Sequence, residues 1–252
     1  MTASSIADNL SAVRGRLEQA ARTAGRNPAD IRLVAISKTF PAEAVREAFA
    51  AGQMDFGENR VQEALQKIRE TAELHSRWHL VGHLQTNKAR KVVGPFAYVH
   101  SVDSLELLTR LDQAATAEGA SPKLLIQVDM AGEATKFGAG ERELPALFDA
   151  AGRLQSAQVV GLMVLPPFAE DPERARPWFR RLREIRDGLV GAGVPADQLR
   201  ELSMGMSHDF HVAVEEGATI VRVGTAIFGT RSQGGLQAGT SVPAKGNGDT
   251  FT

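Results

Sequence analysis

The sequence predicts an α/β fold, a single (β/α)₈ TIM barrel preceded by one extra N-terminal helix. Short apolar runs of strand length alternate eight times with amphipathic stretches of helical length. Strands that alternate with helices form a parallel sheet covered on both faces, and eight such units can close into a barrel. The chain has 252 residues, 43% of them hydrophobic, which suits one barrel-sized core.

The first predicted helix lies ahead of this alternation. Apolar residues recur on one helical face at Ile6, Leu10, Val13, Leu17 and Ala21. A serine just before them, Ser4 or Ser5, can provide the N-cap oxygen.

The eight apolar runs predict the strands of the barrel. They are Leu33–Ile36, Met54–Phe56, Trp78–Val81, Ala97–Val99, Leu124–Val128, Val159–Val164, Leu199–Leu202 and Ile220–Val223. The predicted helices between them include Ala42–Ala51, Arg60–Leu74, Leu105–Ala117 and Glu173–Val190. An open doubly wound sheet is the alternative fold. Its dinucleotide-binding version is disfavoured because no G-x-G-x-x-G follows any of the runs.

Composition narrows the class of protein. We expect the barrel to span residues 1–230 and the glycine-rich stretch 231–252 to be a flexible tail. The absence of cysteine excludes disulfides and thiolate chemistry. A net charge of −1 indicates no general affinity for nucleic acid or for an anionic membrane. The N-terminus has neither a signal peptide nor a membrane span, so we expect a cytoplasmic protein.

Reactive groups of a barrel gather where strands end and βα loops begin. Lys38 follows the first strand directly. At an arbitrary strand end such a lysine simply reaches solvent. At a barrel mouth, partial desolvation favours the neutral amine, which can form a Schiff base with a carbonyl.

Arg222 interrupts the apolar eighth strand. A buried guanidinium needs a compensating partner, so Arg222 either pairs with a carboxylate such as Asp129 or donates to a ligand. The loops after strands seven and eight often bind phosphate in barrels. Here they contain Ser203 to Ser207 and Gly224-Thr225, which can offer hydroxyl and backbone donors to an anion.

The histidines do not predict a metal site. His75, His79 and His83 are spaced four apart, which would align them on a helix, but this stretch is predicted to be a strand. We therefore expect His79 to face the barrel lumen. His208 and His211 are expected to face solvent from the helix after strand seven.

Seven stretches resemble the pyridoxal phosphate homeostasis proteins, which in turn resemble the N-terminal barrel of alanine racemase. The stretches are LVAISKTF (33–40), FGENRVQE (56–63), WHLVGHLQTNKAR (78–90), LIQVDMAGEATKFG (125–138), GLMVLPP (161–167), ELSMGMSHDF (201–210) and VRVGTAIFG (221–229). They occur in order and cover nearly the whole chain before residue 231.

This resemblance implies a pyridoxal 5′-phosphate (PLP) site. It implies that Lys38 holds PLP as a Schiff base and that Arg222 faces the pyridine nitrogen. It implies phosphate contacts by Ser203, Gly224 and Thr225, helped by the loop that contains Met204 and Gly205. Asn59 and His79 are placed near the ring by the same resemblance. The implied function is PLP homeostasis, with PLP held and delivered to PLP-requiring apoenzymes rather than turned over.

An amino-acid racemase is the main alternative. Racemisation needs an acid/base group on each face of Cα, and racemase relatives take their second group, a tyrosine, from a C-terminal domain. The only tyrosine here is Tyr98, in a predicted strand, and the expected barrel leaves no room for that domain. These features favour a carrier and a monomer. A phosphate-sugar enzyme with a catalytic lysine is a third, weaker alternative.

Overall fold

The computed structural model describes residues 4–130 and 137–229. Eight parallel strands close into a barrel: β1 (Arg32–Ile36), β2 (Asp55–Glu58), β3 (Arg77–Leu80), β4 (Tyr98–Val102), β5 (Lys123–Asp129), β6 (Gln158–Met163), β7 (Glu201–Ser203) and β8 (Ile220–Val223). Neighbours in sequence are neighbours in space, and β8 pairs with β1 to complete the ring. The predicted (β/α)₈ barrel is therefore confirmed. The proposed tail 231–252 lies outside the described residues.

The helices cover the outside of the barrel. They are α1 (Ile6–Thr23), α2 (Ala42–Ala50), α3 (Val61–Glu70), α4 (Leu105–Glu118), α5 (Leu144–Ala151), α6 (Arg176–Gly191), α7 (Phe210–Glu215) and α8 (Thr225–Phe228). A 3-10 helix, Thr86–Lys91, occupies the connection between β3 and β4. None of the helices in the described part of the chain is long and apolar enough to cross a membrane.

The extra helix α1 is confirmed, and Ser5 is its N-cap. The Ser5 hydroxyl accepts a hydrogen bond from the Asp8 backbone N–H, and the Asp8 carboxylate accepts one from the Ser5 N–H, which satisfies two otherwise unpaired donors. The buried face of α1 packs onto α7 and α8. Asn9 strengthens this contact by donating to the carbonyl of Ile227 over 2.9 Å.

Strand boundaries differ most from prediction at β7. The apolar run predicted a strand from residue 199, but Ala196–Leu199 forms a 3-10 helix and β7 begins at Glu201. Apolar periodicity alone does not separate a short strand from an adjacent buried turn.

Two apolar layers build the core. The larger layer lies between the sheet and the helices, and the smaller one fills the lumen. The lumen layer consists of Val34, Ile36, Val81, Tyr98, Leu125, Val160, Met163 and Ile220. Alternate residues of each strand point inward, so polar residues at the inward positions are buried in the lumen, away from water. This parity places His79, His100, Ser203 and Arg222 together, all of them buried.

Candidate functional site

Lys38 lies in a constrained turn just beyond β1. Its side chain is half-buried, and the next residue, Thr39, has a left-handed backbone with φ +69°. Such a conformation is uncommon for a residue with a Cβ and requires support from its surroundings. The support includes a hydrogen bond of 2.6 Å from the Thr39 N–H to the Glu63 carboxylate on α3. The turn therefore presents Lys38 from a fixed backbone.

A buried ion pair lies beneath this turn. The ammonium of Lys67 on α3 donates to the Ser37 carbonyl over 2.8 Å and pairs with Glu58 at the end of β2. The Ser37 hydroxyl donates to the same Glu58 carboxylate over 2.7 Å. Burial raises the pKa of Glu58, while the hydrogen bonds from Lys67 and Ser37 oppose that rise.

The sequence analysis did not predict this ion pair, although the helical pattern of α3 indicates it. Val61, Ala64 and Lys67 share the buried stripe of α3, so a lysine occupies a position that the helical pattern reserves for an apolar residue. A lysine there requires a buried carboxylate opposite it.

Arg222 is the cation at the centre of the barrel. Its guanidinium donates to the Val164 carbonyl over 2.9 Å and to the Ser203 hydroxyl. Burial lowers the pKa of Arg222 to about 10, and the charge of Asp209 opposes this effect, so the group stays protonated at neutral pH. The sequence had suggested a carboxylate such as Asp129 as an ion-pair partner; the hydrogen bonds described for the guanidinium go to a hydroxyl and a carbonyl, and Asp209 acts on it through its charge.

Ser203 lies in the lumen, where its side chain is fully buried. Its Oγ lies 2.8 Å from Nδ1 of His100, in addition to accepting from Arg222. The Ser203 hydroxyl thus has two partners in the lumen, and its expected phosphate contact stays a prediction.

His79 is also a lumen residue, as the sequence predicted. It is fully buried and stacks on Tyr98 with a ring-centroid distance of 4.5 Å. Its Nδ1 lies 2.9 Å from Nε2 of His100, and its Nε2 lies 3.0 Å from the Asp55 carboxylate. Both ring nitrogens of His79 therefore have partners within the lumen, and its expected place near a cofactor ring stays a prediction.

Burial sets the charge states of this lumen cluster. Burial lowers the pKa of His79 and lowers that of His100 further, so both rings are neutral at pH 7. Burial alone would raise the pKa of Asp55, but hydrogen bonds from His79 and Arg77 outweigh it and lower that pKa to about 2. Asp55 is therefore an anion at neutral pH, at the N-terminal end of the barrel.

A cradle of small polar groups lies at the mouth between β7 and β8. The Ser207 hydroxyl accepts from the backbone N–H of Gly224 over 3.1 Å and from that of Ala226 over 3.4 Å. Thr225 is exposed beside them. A Cβ on Gly224 would lie 3.2 Å from the Ile36 carbonyl, so glycine allows the close approach of β8 to β1 here. Because these two backbone N–H groups already donate to Ser207, the hydroxyl groups of Ser207 and Thr225 are the donors that the cradle can direct at a phosphate.

The loop before this cradle has a structural role. Met204 is fully buried in the outer core layer. Gly205 has φ +91°, and its carbonyl accepts the backbone N–H of Arg222 over 3.0 Å. Met204 and Gly205 thus join the loop to the core and to β8, and their expected contact with the cofactor stays a prediction.

Asn59 is exposed and lines an open groove with His83 and Lys88. Its expected contact with the cofactor stays a prediction.

The remaining histidines are dispersed. His83 stacks on Phe137 with a centroid distance of 3.5 Å and lies 3.3 Å from Asp103. Within residues 4–130 and 137–229, no three potential ligands gather as a metal site. His208 is exposed as expected, although it precedes α7 rather than lying on it. His211 lies on α7 but is partly buried, so the prediction that it faces solvent is wrong.

Comparison with known proteins identifies the family of this chain. The family described as "Alanine racemase, N-terminal domain" matches residues 9–232. The pyridoxal phosphate homeostasis protein of Pseudomonas aeruginosa is 45% identical over 231 residues, 92% of this chain and 98% of the relative. The structure of PipY from Synechococcus elongatus with PLP bound superposes with a TM-score of 0.77 at 43% identity, over 89% of this chain and 100% of PipY.

More distant structures share the fold. Alanine racemase from Corynebacterium glutamicum superposes with a TM-score of 0.63 at 18% identity, over 91% of this chain and 64% of the racemase. The fold and site thus define a barrel of the alanine racemase N-terminal type. Within that class, the chain belongs to the family of pyridoxal phosphate homeostasis proteins.

Proposed function

We propose that this protein binds PLP at the C-terminal end of its barrel and holds it for PLP homeostasis. One observation carries the proposal: an amine, a buried cation and an anion cradle lie on three consecutive strands of the ring. Lys38 follows β1, Arg222 belongs to the adjacent β8 and Gly224 follows it, and Ser207 follows β7. The names of the relatives and the PLP-bound PipY structure support the same ligand.

The residues present fit the cofactor. When bound, PLP supplies an aldehyde that condenses with a primary amine and loses water. Lys38 would provide that amine from its fixed turn, and the Ser207, Gly224 and Thr225 cradle would hold the phosphate. Arg222 would donate to the pyridine nitrogen. Because the guanidinium remains protonated, it disfavours a second positive charge on that nitrogen and weakens the ring as an electron sink.

A carrier is favoured over a racemase because of where Tyr98 lies. Tyr98, the chain's single tyrosine, is 3% exposed in the lumen, and its hydroxyl contacts Arg32 over 2.9 Å and Lys123 over 3.3 Å. Both basic residues belong to the N-terminal ends of their strands. The tyrosine hydroxyl therefore points away from Lys38 and cannot serve as the second acid/base group that racemisation needs.

Covalent trapping tests the site. The protein is mixed with PLP, and its visible absorbance is followed before and after borohydride reduction. We expect a visible band and, after reduction, a stable adduct that peptide mass spectrometry places on Lys38. Lys91→Ala, an exposed lysine, is the control and should retain the adduct. An unchanged adduct in Lys38→Ala would overturn the assignment.

A second assay separates the carrier from the enzyme. The PLP-loaded protein is incubated with L-alanine, and D-alanine is measured with a chiral assay. We expect no turnover above free PLP; sustained turnover lost in Lys38→Ala would favour the racemase.

The proposal extends to a cytoplasmic monomer that hands PLP to apoenzymes. Analytical ultracentrifugation of the full chain tests the monomer. Transfer is tested by measuring how fast a PLP-requiring apoenzyme regains activity when it is supplied with the loaded protein rather than with free PLP.

A further inference from the structure

A continuous chain of hydrogen bonds crosses the barrel lumen from one end to the other. It begins at Asp55 on β2 and passes through the rings of His79 on β3 and His100 on β4. It continues through the Ser203 hydroxyl on β7 and ends at Arg222 on β8. His79, His100 and Ser203 are completely buried, and the two end residues are nearly so.

The residue at each end of this hydrogen-bond chain can be only a donor or only an acceptor. A carboxylate without its proton can only accept hydrogen bonds, and a guanidinium can only donate them. His79 must therefore donate from Nε2 to Asp55, which leaves its Nδ1 as an acceptor. His100 must then donate from Nε2 to that Nδ1, and its own Nδ1 accepts from the Ser203 hydroxyl. The Ser203 oxygen is left with its lone pairs directed at Arg222.

This direction is consistent with neutral rings. Each neutral imidazole has one donor and one acceptor, so the chain satisfies every ring nitrogen when both histidines are in the Nε2–H form. Adding a proton to either ring would set two donors against each other in a dry interior. The charges that face the rings are Asp55 on β2, Arg32 on β1, Arg77 on β3 and Arg222 on β8.

We propose that Asp55, His79 and His100 are positioning residues that hold the Arg222 guanidinium in place through Ser203, from the opposite end of the barrel. The proposal rests on the proposed function in one respect, since Arg222 is taken to face the PLP ring. Without these hydrogen bonds, the Ser203 hydroxyl could rotate, and the Val164 carbonyl would be the acceptor that still fixes the direction of the Arg222 guanidinium. Pre-organisation of a charged donor by a second layer of hydrogen bonds is a general means of tuning a cofactor site.

The first test requires no PLP. Histidine side-chain ¹⁵N chemical shifts of the cofactor-free protein report protonation and tautomer directly. We expect two rings in the neutral Nε2–H form between about pH 6 and pH 8, where an ordinary histidine titrates. Their signals are assigned by comparison with His79→Gln and His100→Gln. A charged ring or an Nδ1–H form at either position would overturn the proposal, whether or not the protein binds PLP.

The second test uses the loaded protein and three variants. His100→Leu interrupts the chain, His100→Gln restores one donor and one acceptor, and Tyr98→Phe removes a lumen hydroxyl outside the chain while keeping the ring that stacks on His79. We expect His100→Leu to bind PLP about tenfold more weakly, as for a lost hydrogen bond to a charged group, and to shift the visible band. His100→Gln should recover most of both effects, and Tyr98→Phe should match wild type.

The outcomes separate the two claims. If wild type fails to bind PLP, the proposed function fails. The tautomer measurement still decides in which direction the hydrogen bonds run from Arg222 to Asp55. If wild type binds PLP but His100→Leu shows the affinity and band of Tyr98→Phe, the positioning role is wrong and the proposed function stands.

Discussion

The ammonium of Lys67 lies 2.8 Å from the backbone carbonyl of Ser37, the residue that precedes Lys38. A buried lysine on an outer helix thus holds the backbone from which the candidate amine projects. The same ammonium neutralises Glu58 and lies 3.6 Å from Glu63, the residue that holds the N–H of Thr39. One cation therefore stabilises both sides of a turn that carries an unfavourable backbone conformation.

Lys67→Met is expected to destabilise the protein by about 3 kcal/mol, because it leaves the Glu58 carboxylate buried without its partner. The variant loses the hydrogen bond and the charge interaction of Lys67, both of which lower the pKa of Glu58. The pKa of Glu58 therefore rises further above its value in the unfolded protein. The loss of stability should then be largest at high pH and shrink as the pH falls and Glu58 becomes protonated. Urea unfolding at several pH values measures this dependence.

Two further variants serve as controls for Lys67→Met. Lys91→Met, at an exposed position, should change stability by less than about 0.5 kcal/mol. Adding Glu58→Gln to Lys67→Met should recover part of the loss, because a neutral amide is cheaper to bury. If the double variant is less stable than Lys67→Met, the buried charge is not the cause.

The two serines of the β7 loop should have separable effects on ligand binding. Ser207→Ala removes a hydroxyl from the cradle and should weaken binding of PLP but not of pyridoxal, which lacks the phosphate. Ser203→Ala should affect both ligands alike, because that hydroxyl contacts Arg222 rather than the mouth. Fluorescence or absorbance titration with both ligands measures the four affinities. Equal losses for the two ligands in Ser207→Ala would contradict the cradle.

Gly205→Ala should destabilise the protein by at least about 2 kcal/mol. Its φ of +91° is unfavourable for alanine, and the new Cβ would lie 2.6 Å from the Cβ of Ala213. Gly188→Ala is the matched control: this residue lies in α6, its Cβ would meet nothing within 4 Å, and the change should stabilise by about 0.5–1 kcal/mol. Thermal unfolding of both variants measures these opposite effects. The prediction is wrong if both variants shift the unfolding midpoint in the same direction.

The buried histidines should make stability depend on pH. The pKa of His100 is lowered in the folded protein, so the unfolded chain binds a proton that the folded one does not. The stability of the folded protein is unaffected by protonation of this ring above about pH 6.5, the ordinary histidine pKa. Below that pH the free energy of unfolding falls by up to about 1.4 kcal/mol per pH unit for each such ring. Unfolding free energies measured from pH 7 to about pH 5 should show this slope.

His100→Gln should reduce that slope by up to about 1.4 kcal/mol per pH unit, the share of one ring. Asp55 does not interfere, because its pKa of about 2 places its own contribution at much lower pH. An identical slope in wild type and His100→Gln would mean that His100 is protonated in the folded state.

Much of this protein follows from its sequence alone. The alternation of apolar runs with amphipathic stretches determined the barrel, because strand and helix periods are local properties of the chain. The same alternation placed Lys38 and Gly224-Thr225 at strand ends, and burial of β8 singled out Arg222. The resemblance of the motifs to one family indicated the cofactor.

Only the tertiary structure decided which side chains face the lumen and which lie at the mouth of the barrel. Ser203 and Ser207 are alike in sequence, but the inward parity of β7 sends one hydroxyl into the lumen and leaves the other at the mouth. Asp55, His79, His100 and Arg222 come from four different strands, and Lys67 meets Ser37 from a helix 30 residues away. Such contacts depend on the closure and stagger of the whole barrel, which no local pattern encodes.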